Sequence, residues 1–335
     1  MNRHRPEVSV VLPVFNGAGT IARAVGSILD QTLRAIELIV LDDGSTDETV
    51  AVVRKIGDPR LRLIQCAHLG VATAANAATE LAVAPLIARM DADDFAYPLR
   101  LEKQLQLLHQ QNLDVVGCQV RILNESSREV GSMYRYQRWI NQETIDSRKI
   151  LALRFVEFPL VNPTILARRS YFEMGFRDCD LPEDYDLMLR AAAQGMRFGK
   201  VDEVLLDWTD HPGRLTRADS RYRFEAFTRC RQQHLLAGPL RDVDCVDLWG
   251  VGDTGKPWLR WLQAQKIAVR RGYDINQRKV NEIIHGVRIA HPSEMLSADG
   301  TPLVIAVGAE DARKLILPEI LSRGYVAGGD AWFVA

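Results

Sequence analysis

Short apolar runs alternate with helical patterns through the N-terminal part of this chain, and each run ends in a polar turn. Val8 to Leu12 is a continuous run of the kind buried on both faces of a parallel sheet. Pro13-Val14-Phe15-Asn16-Gly17 ends it. Ile21, Val25, Ile28 and Leu29 then recur at the spacing of one buried helical stripe. Ile36 to Leu41 is a second strand, stopped by Asp42-Asp43-Gly44-Ser45-Thr46-Asp47-Glu48, in which Ser45 and Glu48 are spaced as a capping box. A strand over Leu61 to Cys66, an Ala-rich helix over Ala72 to Leu81 and a strand over Leu86 to Met90 continue the series. Strands alternating with helices predict a mostly parallel, doubly wound α/β sheet. Ligands of such sheets bind beyond the carboxyl ends of the strands. Pro13 to Asn16, Asp42-Asp43 and Asp91 to Asp94 all fall at such ends, so three motifs are expected on one edge.

The last of these is the most acidic. The run Leu86-Ile87-Ala88-Arg89-Met90 leads directly into Asp91, Asp93 and Asp94. In extended chain Asp91 and Asp93 share a side while Ala92 faces away. Unpaired buried carboxylates are costly, and a divalent cation with hard oxygen ligands removes that cost. A polar turn capping the next helix is the alternative for the same residues.

Pro98 to Leu108 is the next helix, with Leu101, Leu105 and Leu108 on one face. Asp114 to Leu123 reads as a strand pair. Ser126 to Ser147 is polar and aromatic-rich without a clear period, and reads as a connecting segment over the site. Phe158 to Ala167 reads as a strand through Asn162-Pro163-Thr164. Pro182-Glu183-Asp184 opens a helix whose apolar face is Tyr185, Met188, Leu189 and Ala192. Val201 to Trp208 is a further strand, followed by His211-Pro212-Gly213-Arg214, and Arg221 to Leu236 has helical character. Near residue 240 the pattern restarts. Cys245 to Trp249, Ile267 to Tyr273, Leu303 to Val307 and Ala331 to Val334 read as strands, with helices through Trp258, Leu259 and Leu262 and through Leu315, Leu317 and Ile320. The expected organisation is a larger domain over residues 1–238 and a smaller Rossmann-like α/β domain over 239–335.

A length of 335 residues accommodates two domains. With a net charge of -1, nothing in the bulk electrostatics points to a nucleic-acid partner. The five cysteines (Cys66, Cys118, Cys179, Cys230, Cys245) are scattered without a CxxC pair, which argues against a disulfide framework or zinc site and fits a reducing cytosol. Met1 to Glu7 is polar and runs into a strand, so no signal peptide is expected. No apolar run is long enough for a membrane-spanning helix.

Residues 7 to 217 resemble a family 2 glycosyltransferase with the GT-A fold. The resemblance rests on Val8-Ser9-Val10-Val11-Leu12-Pro13-Val14-Phe15-Asn16, Gln31-Thr32 and Glu37-Leu38-Ile39-Val40-Leu41-Asp42-Asp43-Gly44-Ser45-Thr46-Asp47. It continues through Gly70-Val71-Ala72 with Asn76, Met90-Asp91-Ala92-Asp93-Asp94 with Pro98-Leu99-Arg100-Leu101, and Glu183-Asp184-Tyr185-Asp186-Leu187. It implies a nucleotide-sugar donor, UDP-linked, a Mg2+ or Mn2+ ion, a glycan or lipid-linked acceptor, and direct displacement with inversion. By resemblance Asp93 is the metal ligand and Asp91 lies beside the ribose and metal. Asp43 binds the base, Phe15 packs on its ring, and Pro13 shapes the pocket. Asp184 matches the catalytic base, with its helix start expected to help keep it ionised, and Glu183 is its rival for that role or a neighbour that hydrogen-bonds the acceptor. His211 stands where relatives carry a metal- or phosphate-contacting His, the alternative being a solvent-exposed loop histidine. Arg214 meets the diphosphate. Asp42, Asn16 and Asn76 either hold loops or contact the nucleotide. Two departures stand out: Ala75 replaces an Arg before Asn76, leaving a phosphate contact to Arg89 or Arg214, and Asn162-Pro163 replaces a His-Pro. The implied setting is bacterial surface polysaccharide or lipopolysaccharide synthesis, in the cytoplasm or peripherally at the inner membrane face, with homo-oligomerisation open.

In the smaller domain Gly250, Gly252 and Gly255 follow a strand and open a helix, and Asp274 ends the next strand. That is the context of a dinucleotide-binding turn. The unit holds either a nucleotide or small ligand there, or serves a structural, regulatory or oligomerising role. Trp249, Trp258 and Trp261 beside it fit core or interface. Two further classes compete for the whole chain. A nucleotidyltransferase would carry a basic, Gly-rich first loop, and Pro13 to Gly19 has no basic residue. A non-catalytic nucleotide-sugar binder would use the same pocket without transfer.

Overall fold

The computed structural model describes residues 5–124, 126, 128–129, 131–142, 147–309 and 311–335. Residues 1–4 of the polar N-terminal stretch lie outside them. The chain divides into two compact units, Met1–Ile150 with Pro159–Cys230, and Leu151–Phe158 with Arg231–Ala335. The second unit thus takes in residues 151–158 and 231–238, which the sequence pattern assigns to the larger domain. Buried Arg231 shows why: its guanidinium donates to the carbonyls of Val156 and Val334.

The first unit contains β1 (Val8–Val14), β2 (Ile36–Asp42), β3 (Leu61–Gln65), β4 (Leu86–Arg89), β5 (Phe95–Ala96), β6 (Val115–Asn124), β7 (Leu166–Arg168) and β8 (Phe198–Asp210). They form one sheet in the order β3-β2-β1-β4-β7-β6-β8-β5. β1, β2 and β4 are parallel, with Val14 opposite Asp42 and Val11 opposite Arg89. β7 is antiparallel to both β4 and β6, and β8 is parallel to β6. Two reversals restore the direction, so the end of β8 reaches the same edge as the end of β4. The core forms as the periodicity requires. Helix Ile21–Leu29 buries Ile21, Val25, Ile28 and Leu29 against the sheet, and each such side chain contributes about 1.5–3 kcal/mol.

Several expectations change. Asp114 to Leu123 is a single strand, β6, with irregular register at Gln119. Phe158 to Ala167 is not a strand: Asn162–Thr164 is a 3-10 turn, and only Leu166–Arg168 joins the sheet. Pro163 has no N–H to give a ladder, and the Thr164 hydroxyl turns back to the Val161 carbonyl. Helix Thr49–Arg54 lacks the capping box; Ser45 Oγ accepts from Asn16 N, and Asp47 takes the Thr49 N–H. Within the expected connecting segment, Tyr134–Gln142 is a helix fastened to β6. Gln137 accepts from Ile122 N, and the Asn141 side chain bonds both N–H and C=O of Val120. Residues 127, 130 and 143–146 of that segment lie outside the described residues. Arg221 to Leu236 begins as a 3-10 turn, Ser220–Tyr222, before helix Phe224–Ala237.

The second unit adds β9 (Cys245–Trp249), β10 (Ala268–Tyr273), β11 (Ile283–Ile284), β12 (Val287–Ala290), β13 (Leu303–Ile305) and β14 (Ala331–Phe333), ordered β11-β12-β10-β9-β13-β14. β9 lies between β10 and β13 and is parallel to both. The β11–β12 hairpin is not evident from strand propensity; its turn, His285-Gly286, has positive φ at both positions, as tight hairpins prefer.

Two fold elements hold the site edge and are testable by denaturation. Gly44 has φ +75, and a Cβ there would lie 2.9 Å from His68 N. Gly44→Ala is expected to lower unfolding free energy by about 1–3 kcal/mol in urea titrations, and parental stability would contradict this view of the turn. Fully buried Arg100 donates to the Arg89 carbonyl at 2.7 Å and to Gln104 at 3.2 Å. Gln104 in turn donates to Val116 O and Thr164 O. Arg100→Met strips a donor from a buried carbonyl and should cost about 1–3 kcal/mol by the same assay. An unchanged midpoint would show that this network does not brace β4.

Candidate active site

β4 ends at the acidic cluster. Ligand-capable oxygens of Asp91, Asp93 and Asp94 lie within 4.8 Å of one another. Asp91 pairs with buried Arg89 at 3.2 Å. Asp94 is 1% exposed; one oxygen accepts from Thr209 N at 2.8 Å, and the other has no partner among the described residues. Burial raises the pKa of both Asp91 and Asp94, and the charge of Asp93 raises each further. Arg89, Arg100 and Arg214 act against that rise at Asp91. Asp94 is thus a buried member of the cluster, not an exposed turn residue.

The end of β8 meets this cluster. His211 Nε2 lies 3.0 Å from Asp93 Oδ2. Thr209 Oγ1 donates to the Asp93 carbonyl at 2.6 Å, and Arg23 Nη2 donates to the same carbonyl at 3.0 Å. His211 is therefore no free loop histidine. Carboxylate oxygens with one imidazole and an orphaned buried oxygen nearby are a donor set that fits Mg2+ or Mn2+. The Arg214 guanidinium stacks 4.2 Å from the Trp208 ring centre, and its charge reaches Asp91 and Asp94.

On the β1–β2 side, Asp43 accepts from Leu69 N at 2.7 Å and Gly70 N at 3.1 Å, and pairs with His68 Nδ1 at 2.9 Å. It thereby fixes the start of helix Val71–Glu80. Half-exposed Phe15 lies over the His68 ring, with centroids 4.4 Å apart. Pro13 sits within β1 opposite Leu41. Asn16 adopts φ 53; its side chain accepts from Thr46 N, and its own N–H donates to Ser45 Oγ. The Asn76 amide both donates to and accepts from the Phe176 backbone at 2.8 Å. For both asparagines this is the loop-holding alternative. Asp42 is buried, with one oxygen lacking a partner among the described residues.

Helix Glu183–Ala193 presents Glu183 and Asp184 in its first turn. The Tyr222 hydroxyl lies 2.6 Å and 2.7 Å from the two oxygens of buried Glu183. Asp184 is pushed up to about 7, first by burial, then by the charges of Glu183 and Asp91. The expectation that its helix start keeps it ionised is thus outweighed: desolvation and two like charges exceed the dipole and the Tyr185 N–H bond. The charge of Asp91 is thus felt at Asp184. Sequence reasoning missed Tyr222, Thr209, Arg23 and Arg100. Only Arg100 lay in a motif, and nothing in a sequence period marks the others, since each acts across long chain separations.

In the second unit Gly250 has φ +99, and a Cβ there would meet Ala306 O at 2.6 Å; one on Gly255 would meet Gly250 O. These glycines are required by close backbone approach. Asp274 accepts from Val251 N and Asn276 N and pairs with Lys279 at 2.8 Å. Lys279 Nζ lies 3.4 Å from the position of a Cβ on Gly252. The acid that would meet a ribose is engaged internally by the very loop it would serve.

These features match known proteins. The family model described as "Glycosyl transferase family 2" matches residues 9–176. The succinoglycan biosynthesis protein ExoU of Rhizobium meliloti is 34% identical over 209 residues, 57% of this chain and 58% of that protein. The chondroitin synthase of Pasteurella multocida is 29% identical over 206 residues, 60% of this chain but 20% of the synthase. This chain thus spans only part of the curated relatives. Staphylococcus aureus TarS residues 1–349, solved with UDP-GlcNAc, aligns with a TM-score of 0.55 at 20% identity over 70% of this chain and 68% of TarS. The mannosyltransferase PcManGT of Pyrobaculum calidifontis, solved with GDP-Man and Mn2+, aligns at 0.51 and 22% identity over 78% and 70%. The chain belongs to glycosyl transferase family 2 and has the GT-A fold.

Proposed function

We propose that the first unit transfers a sugar, with inversion, from a UDP-sugar to a hydroxyl of a glycan or lipid-linked acceptor, using Mg2+ or Mn2+. The observation that carries this reading is the convergence of Asp91, Asp93 and His211 from two strands, with Asp184 within electrostatic reach. Asp93 and His211, with Asp91, would hold the ion, whose charge offsets that of the departing diphosphate. Phe15 and His68 offer a stacked surface for the base, and Asp43, which holds the His68 ring at 2.9 Å, lies behind that surface. Arg214, beside the acidic cluster, faces the diphosphate. Asp184 removes the acceptor proton as the acceptor oxygen bonds to the anomeric carbon, and the bond from that carbon to the diphosphate breaks. Its raised pKa suits a base working near neutrality. Glu183, held by Tyr222, lies beside it on the acceptor side.

Relatives named for succinoglycan and O-antigen biosynthesis support a polysaccharide setting. TarS and PcManGT, solved with UDP-GlcNAc and GDP-Man, support a nucleotide-sugar donor. No helix among the described residues is long and apolar enough to cross a membrane. A cytoplasmic or peripheral location would bring such an enzyme to its acceptor.

Asp184→Asn should lower kcat by about 10²–10⁴-fold while the protein stays folded; a variant with parental turnover would remove Asp184 as the base. Because the base acts deprotonated, kcat/KM should rise with pH through an acid limb near 7. A profile flat from about pH 5 to 8 would contradict that assignment. Binding of UDP and Mn2+ with neither sugar transfer nor donor hydrolysis would instead favour a non-catalytic binder.

A further inference from the structure

The proposed ion site draws its donors from two strands that are far apart in sequence. Asp93 follows β4, and His211 follows β8. Something must fix the spacing between them, because a metal site loosens sharply when its ligands are not held. The two strands are not hydrogen-bonded to each other in the sheet; β7 and β6 lie between them. The tie lies beyond the strand ends. Asp94 Oδ1 accepts the Thr209 N–H at 2.8 Å, and the Thr209 hydroxyl donates back to the Asp93 carbonyl at 2.6 Å. Arg23 caps this pair, donating to the Asp93 carbonyl and lying 3.2 Å from Thr209 Oγ1. Thr209 is two residues before His211, and Asp94 is next to Asp93. Each tie therefore lies within two residues of the ligand it positions. Next in the chain, Phe95-Ala96 pairs antiparallel with Leu206-Asp207, which continues the same seam.

Asp94 is well suited to such a post. It is almost wholly buried, one oxygen is aimed at a main-chain donor, and the other has no partner among the described residues while lying in the acidic cluster. We propose that Asp94 is a positioning residue: its bond to Thr209 N sets the separation of Asp93 and His211, so that both reach one divalent cation. This rests on the reading of Asp93 and His211 as ion ligands, and Asp94 itself is not assigned as a ligand.

The test reads the ligand set directly, by electron spin echo modulation from nitrogen-14 in Mn2+-loaded protein. The parent should show imidazole nitrogen modulation, and His211→Ala should lose it. Asp94→Ala should remain folded by circular dichroism, bind Mn2+ about tenfold or more weaker, and lose the nitrogen modulation at saturating Mn2+. Asp94→Asn keeps an oxygen for the Thr209 N–H and should retain the modulation even where the lost charge weakens binding. Thr209→Pro keeps the Asp94 carboxylate but removes both the N–H and the hydroxyl, whereas Thr209→Val removes the hydroxyl alone, so Thr209→Pro should lose the modulation and Thr209→Val retain it. That pair decides the matter if Asp94→Ala does not fold. Undiminished modulation in Asp94→Ala or Thr209→Pro would overturn the positioning role, as would loss in Asp94→Asn or Thr209→Val. A parent that binds no Mn2+ would overturn the metal reading itself. A parent that binds Mn2+ without nitrogen modulation would overturn only the His211 ligation and the tie built on it.

Discussion

Like charges at one strand end are the constraint on which this structure turns. Asp91, Asp93 and Asp94 converge within 4.8 Å at the end of a buried strand, and such a cluster is unfavourable without compensation. The protein supplies part of it from below and beside. Arg100, fully buried, lies close enough for its charge to be felt by Asp91 and Asp94, and Arg89 pairs with Asp91 directly. Main-chain and hydroxyl donors of Thr209 and the His211 ring take up more. The negative charge they leave uncompensated, including one orphaned oxygen of Asp94, is what a divalent cation would neutralise. The proposed cation and the architecture around it are therefore two aspects of one electrostatic problem.

The sheet topology makes the solution possible. A parallel run of β1, β2 and β4 brings Phe15 and Asp43 and the acidic cluster to one edge. The reversed strand β7 then lets β6 and β8 regain that direction, so a histidine more than a hundred residues along the chain arrives beside Asp93. Asp184 enters from a helix start instead, where burial and the neighbouring carboxylates raise its pKa to about 7. The same crowding of negative charge that would favour a cation also raises the Asp184 carboxyl.

The parallel half of the fold is legible from residues alone, because runs such as Val8 to Leu12 and Ile36 to Leu41 are buried on both faces and carry no competing pattern. Asp91 and Asp93 are legible as a candidate pair because they end a buried apolar run, whereas Asp184 and His211 are singled out by family resemblance. Apolar content misleads where a single residue dictates the backbone: Pro163 turns an expected strand into a 3-10 turn. Local spacing also misleads at Ser45 and Glu48, where Asn16 captures the Ser45 hydroxyl from across the turn. Asp94–Thr209 and Glu183–Tyr222 depend on pairings over long sequence separations, which no periodicity reports. The glycine turn of the second unit is legible as a backbone shape, but the engagement of Asp274 by Lys279 and Val251 is a side-chain outcome that the motif does not contain.

The most direct measurement is anomalous diffraction at the manganese edge from crystals grown with Mn2+ and a uridine diphosphate. One strong peak is expected between Asp93 and His211, with Asp91 alongside and diphosphate oxygens completing the ion's shell. A peak elsewhere, or bound nucleotide with no ion at that position, would contradict the proposed site.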